Sequence, residues 1–193
     1  MRSSLIIFSL LFFFIQSAWS KDILPKYDII LPPSCSNNRG EIVQFQNLSS
    51  KLRIFSAGVA KRNQKGKPMV YRFNYEKSPK ALQIFIDLHE CAHHQTGDLD
   101  QPHPPQNSSE HMMKESIADC ISALRIREEN KNGKSLIIDA LFELKKTMSI
   151  LSFPISSIKS RELNIKNCFK KNISSKLFIL GILKKSITLN KTQ

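Results

Sequence analysis

The sequence predicts one small α+β domain. Three observations carry that expectation. Residues 52–60 in part, and 69–75, alternate apolar and polar side chains, several later segments repeat apolar residues at helical spacing, and all four cysteines lie beyond the first twenty residues.

Residues 1–20 have the parts of a signal peptide: Arg2 as the positive end, an apolar run from Leu5 to Ile15, and the small-x-small site Ala18-Trp19-Ser20 before Lys21. The apolar run is too short to span a bilayer as a mature helix. An uncleaved N-terminal anchor is the alternative. A mature chain starting at Lys21 is long enough for one domain with its own core. Residues 21–169 are expected to form it, followed by a basic tail, 170–193.

Pro25, Pro32, Pro33 and Gly40 mark 21–40 as an extended arm anchored by Cys35. Glu41 to Phe45 reads as a short strand or a helical turn. Leu52–Ala60 and Met69–Tyr75 read as strands joined by the polar turn Lys61–Pro68, a β-hairpin. Ser78-Pro79 opens a helix that Gly97 ends. Residues 98–109 form a polar, proline-rich loop containing His103, read as an exposed loop histidine that can line a cleft. Ser109 is the expected cap of a helix from Glu110 to about Glu129. After Gly133, a helical segment to Leu151 places Leu136, Ile137, Ala140, Leu141, Leu144, Met148 and Leu151 in the core. A last domain helix is expected from about Ser156 to Phe169. In the tail, the apolar island Leu177–Leu183 is too short to cross a bilayer. It reads either as an amphipathic surface anchor or as a helix docked on the domain.

An even cysteine count in an exported chain implies two disulfides. Of three pairings, Cys35–Cys168 with Cys91–Cys120 would tie the chain ends together and clamp two helices. Cys91 lies roughly 200° around its helix from His89, so it faces behind that helix and is not a metal ligand.

The net charge of +13 suits contact with anionic membranes, cell-wall polymers or nucleic acid. The basic residues are dispersed and rarely interleaved with aromatics. That excludes a specific nucleic-acid module as the expectation and leaves nonspecific attraction to anionic surfaces.

The chemistry concentrates at His89-Glu90-Cys91-Ala92-His93, an H-E-x-x-H pattern closing the apolar run Ala81–Leu88. Two histidines four apart on a helix share a face and can reach one zinc ion. The adjacent Glu90 can then act on a metal-bound water. A catalytic zinc needs a third protein ligand and an open position. Glu115, in Glu115-Ser-Ile-Ala-Asp119-Cys120, supplies that ligand. Asp119, one turn on, is placed to accept the free ring N–H of a ligand histidine. The plain alternative is a solvated helix face and an acidic stripe. His94, rotated about 100° from His93, cannot comfortably share the metal. His111, one turn before Glu115, is a candidate donor to a transition-state oxyanion.

H-E-x-x-H followed by E-x-x-A-D resembles the gluzincin metallopeptidases. His-Glu-Cys-Ala-His-His with Ala-Asp-Cys resembles small secreted bacterial proteins of that type. The segment Phe153–Cys168, with Arg161, loosely resembles their C-terminal helix. Relatives often open that helix with His-Pro; here it is Phe153-Pro154, so no histidine acts there. The resemblance covers roughly residues 66–168 and is specific at the metal motifs. It implies a small gluzincin-like domain, one zinc on His89, His93 and Glu115, and Glu90 as catalytic base. It also implies hydrolysis of peptide or protein substrates by an exported, periplasmic or secreted enzyme. A strand ahead of the zinc helix would border the cleft and pair with substrate, making Tyr71, Asn74 and Tyr75 candidates for substrate contact. Two rivals remain. One is a zinc-stabilised binding protein without turnover. The other is a basic, disulfide-stapled envelope protein with an accidental motif.

Overall fold

The computed structural model describes residues 26–51 and 55–190, the side chains of 186–190 excepted. The proposed signal peptide lies outside the described residues. The architecture is α+β: a three-stranded sheet followed by five helices. The strands are β1 (Gln44–Leu48), β2 (Ala57–Arg62) and β3 (Pro68–Phe73). The helices are α1 (Lys80–Thr96), α2 (Ser109–Glu129), α3 (Gly133–Ile150), α4 (Ile155–Lys170) and α5 (Ser175–Asn190).

The expected hairpin forms with shifted bounds: its first strand runs on through Lys61 and Arg62, which were expected in the turn, and its second ends at Phe73, before Asn74 and Tyr75. β2 and β3 pair antiparallel, with Val59 opposite Tyr71. β1 adds in parallel to the other side of β3, so the order is β1-β3-β2 and β3 is central. A strand hydrogen-bonded on both sides has no edge to offer. The strand just before α1 therefore lacks the free edge expected of it; among the described strands the outer edge of β2 is free.

The helix boundaries follow local chemistry. Pro79 precedes the first turn of α1, and Gly97 ends it in the left-handed conformation (φ 76°) that glycine adopts without strain. Ser108, rather than Ser109, caps α2: its hydroxyl accepts from the His111 N–H at 3.2 Å. Ser109 is already the first helical residue. α3 ends at Ile150, where Ser152 turns the chain at φ 59°. Leu151 is consequently half exposed and is not a core residue. Ile137, Ala140, Leu141 and Met148 are buried as expected.

α1 and α2 pack against each other and against α3 and α4 around Phe85, Leu88, Leu124, Ile126 and Ile165. Arg72 and Asp87, both almost fully buried, join β3 to α1 through two bonds, Nε–Oδ1 3.0 Å and Nη2–Oδ2 2.9 Å. Burial pushes the Asp87 carboxyl up to about 6 despite the opposing Arg72 charge. The tail forms a docked helix. Phe178 and Ile179 pack on the core, and Glu128 accepts from the backbone N–H and hydroxyl of Ser175. No helix among the described residues is long and apolar enough to cross a membrane.

The disulfides are Cys35–Cys91 and Cys120–Cys168. This corrects the expected pairing of Cys35 with Cys168 and Cys91 with Cys120. Cys91 does face behind α1, but what lies there is Cys35 of the N-terminal arm, together with Val43 and with Val70 of β3. Cys120 faces α4 instead. Two disulfides fit folding in an oxidising compartment. Each bridge closes a long loop, with sequence separations of 56 and 48. Replacing Cys120 and Cys168 together by serine is expected to cost about 4 kcal/mol in the chain-entropy account. Urea unfolding of the oxidised variant beside the parent checks this, and a shift under about 1 kcal/mol would contradict it.

Candidate metal centre

His89 and His93 project from successive turns of α1 toward α2. Their Nε2 atoms stand 3.2 Å apart. Glu115 of α2 brings one carboxylate oxygen to 3.2 Å from His89 Nε2 and the other to 3.5 Å from His93 Nε2. The three residues offer ligand atoms all within 4.8 Å of one another, a group that could hold a metal ion.

The rings are fixed from behind. Asp119 Oδ1 lies 2.9 Å from His89 Nδ1, the contact expected from the sequence. Asp98 Oδ2 lies 2.9 Å from His93 Nδ1, a contact the sequence reading missed. The one available signal was position: Asp98 follows the Gly97 helix stop and so folds back beside the last turn of α1. A carboxylate on each Nδ1 favours the tautomer with Nδ1–H, leaving both Nε2 lone pairs aimed at the same point. Two lone pairs and a carboxylate converging there repel unless a proton or a cation sits between them. That donor set fits a metal ion.

Asp119 is itself held by Arg161 of α4, with Nε–Oδ2 2.7 Å and Nη2–Oδ1 2.8 Å. Burial alone would raise its carboxyl; Arg161 and His89 outweigh that and hold it below the usual range. Burial would likewise lower both histidines. The carboxylates of Asp119 and Glu115 reverse this for His89, raising it to about 8, and those of Asp98 and Glu115 raise His93 to about 10. Burial opposes ionisation of Glu115, yet its bonds to the two histidines keep it far below the ordinary carboxylate value.

Glu90 turns toward the same cleft, and its Oε2 accepts from the Ala60 N–H of β2 at 2.7 Å. This approach depends on Gly58, because a Cβ there would stand 2.4 Å from Glu90 Cγ and 2.6 Å from Ile86 Cγ2. The cleft, about 620 Å³, runs between β2, α1 and α2.

The other sequence candidates separate. His111 lines the cleft with its Nε2 3.9 Å from Glu115 Oε1, and its ring stacks on that of His103 at 5.7 Å. His103 is exposed and also lines the cleft. His94 is buried and bonds the Met69 carbonyl at 2.9 Å, away from the metal group. Asn74 is no cleft residue: it is buried, left-handed (φ 51°), and its side chain pairs with the backbone of Ser50. Tyr75 is buried under Arg72. Tyr71 opens onto the far face of the sheet. Tyr71 misses the cleft because it lies on the other face of the sheet, and Asn74 and Tyr75 because they belong to the turn after β3. Compared with protein-family models, curated proteins and solved structures, the chain matches none.

Proposed function

We propose that this chain is an exported zinc metallopeptidase of gluzincin type. The observation that supports this most is the convergence of His89, His93 and Glu115 in an open cleft that also receives Glu90. Borderline-soft imidazoles and one carboxylate suit zinc. Zinc held by His89, His93 and Glu115 would supply Lewis-acid polarisation of a carbonyl and a more acidic water.

The chain's own residues supply the rest. Glu90 takes a proton from the attacking water on its carboxylate and passes it to the leaving amine. The Ala60 N–H beside Glu90 turns away from β3, so this side of β2 can pair with an extended substrate. Asp119 and Asp98 keep the two rings oriented, and Arg161 keeps Asp119 ionised. His111, at the rim, is positioned to donate to the developing oxyanion.

Metal analysis tests the site. One zinc per chain, lost in Glu115→Ala, supports it, and a screen of peptide substrates with Glu90→Gln as the blank then tests hydrolysis. A folded, oxidised chain without zinc would leave a basic secreted binding protein. Zinc with no activity on any peptide would leave a zinc-stabilised binding protein.

The histidines also set a pH dependence. Without metal the flanking carboxylates raise both rings, so zinc binding has to displace protons from the pair. Zinc affinity is therefore expected to rise by roughly tenfold or more per pH unit from pH 6 to 8, and less steeply as the pH nears 10. The sign reverses for the metal-free fold. Raised histidine values stabilise it below about pH 6.5, and that stabilisation is lost as the pH rises through about 8 and 10. Chelator competition across pH reads the first effect. An affinity flat with pH would contradict it.

A further inference from the structure

Between Glu41 and Glu76 the chain has no acidic residue but seven lysines and arginines. Four of them, Lys61, Arg62, Lys65 and Lys67, line one side of the sheet, whose two faces differ. Gly58 faces Glu90 and Ile86, so alternation turns Val59 and Lys61 to the opposite side. On that side the register sets Val59 beside Tyr71, and Leu48 beside Phe73. A groove of about 970 Å³ lies over these side chains.

Three of the four cations that line the groove are available. Arg62 is engaged by Asp100 and Glu41, and Arg72 by Asp87. Lys61, Lys65 and Lys67 are exposed, and no ion pair is formed by them among the described residues. The loop carrying them is held in shape. Asn63 Oδ1 accepts from the Lys65 and Lys67 N–H groups at 2.9 and 3.0 Å, and Arg62 donates to the Gly66 carbonyl at 2.7 Å. Little ordering is left to do when an anion arrives.

The groove also adjoins the metal cleft, because Val59, Lys61 and Arg62 line both. We propose that it docks an acidic segment of a polypeptide whose neighbouring segment enters the metal cleft. Carboxylates would meet Lys61, Lys65 and Lys67, and apolar side chains would cover Tyr71, Phe73, Val59 and Leu48. A uniformly charged polymer would satisfy the lysines and leave those four uncovered. A membrane surface would not enter a concave site. Identifying that polypeptide as a substrate rests on the hydrolytic reading; the docking does not.

The test is fluorescence anisotropy of a labelled peptide in which Glu alternates with Phe and Leu. The host is the chain from Lys21, which keeps every described residue, carrying Glu90→Gln so that the probe stays intact. The acidic peptide should bind and its Lys-for-Glu counterpart should not. Charge reversal at the three exposed lysines (K61E, K65E, K67E) should weaken binding by roughly tenfold or more. Tyr71→Ser should weaken it several-fold even at high salt, where the charge contribution is screened. Unchanged binding after charge reversal would overturn the proposal, as would equal competition by dextran sulfate or an oligothymidylate at matched charge. The wild-type chain with zinc separates the two readings. Binding of the intact probe without cleavage removes the peptidase and keeps the groove. Cleavage insensitive to charge reversal removes the groove and keeps the peptidase.

Discussion

Glu90→Gln is expected to leave one zinc bound per chain and to reduce peptide hydrolysis by about 10²–10⁴, the usual contribution of a positioned general base. The reasoning is geometric. Glu90 is not among the three converging ligands, so its charge is not needed to hold the metal. Its carboxylate stands in the cleft, against the Ala60 N–H. Glutamine keeps the size and still accepts that N–H, but it cannot take a proton. The fold should therefore survive while turnover does not. Metal content, melting temperature and kcat measured on the same preparation check this. Full activity would remove Glu90 from the mechanism. Loss of zinc would show that it helps bind the metal.

Asp119→Ala should have the largest effect on the fold and on the metal together. Asp119 is buried and accepts from both Arg161 and His89. Its loss strands the Arg161 guanidinium and releases the His89 ring. Breaking a fully buried pair costs about 3–5 kcal/mol; Arg161 retains some contact with solvent, so about 2–4 kcal/mol is expected here. Zinc affinity should fall by about 10–100-fold, as when other orienting carboxylates are removed. Asp119→Asn should recover part of both, since it still offers an acceptor. Denaturant unfolding without metal separates the stability loss from the affinity loss, which chelator competition measures. A variant with parental stability and affinity would contradict the network.

Part of this was legible in the residues alone. The helices were, because apolar spacing, Pro79 and Gly97 act within a few residues of where they sit. His89, His93 and Glu115 were, because i, i+4 spacing and motif chemistry are properties of a helix face. Asp119 was for the same reason. The Asp98 contact to His93 was not, because it depends on how the chain folds back after Gly97. Tyr71 and Asn74 were misplaced because alternation identifies a strand but not which of its faces meets the cleft or where it ends. β1, pairing in parallel, made β3 central and passed the free edge to β2.

The sequence by itself determined the α+β composition, the bounds of α1 to α4 to within a few residues, the residues able to ligate a metal and the even cysteine count. Those follow from forces acting over one or two turns of chain. The tertiary structure decided which cysteines meet, which strand borders the cleft, what stands behind His93 and where the unpaired lysines gather. Each of those depends on which faces of distant elements come to lie together. That is fixed by burying Phe85, Leu88, Leu124 and Ile165 in one core, and no local pattern encodes it.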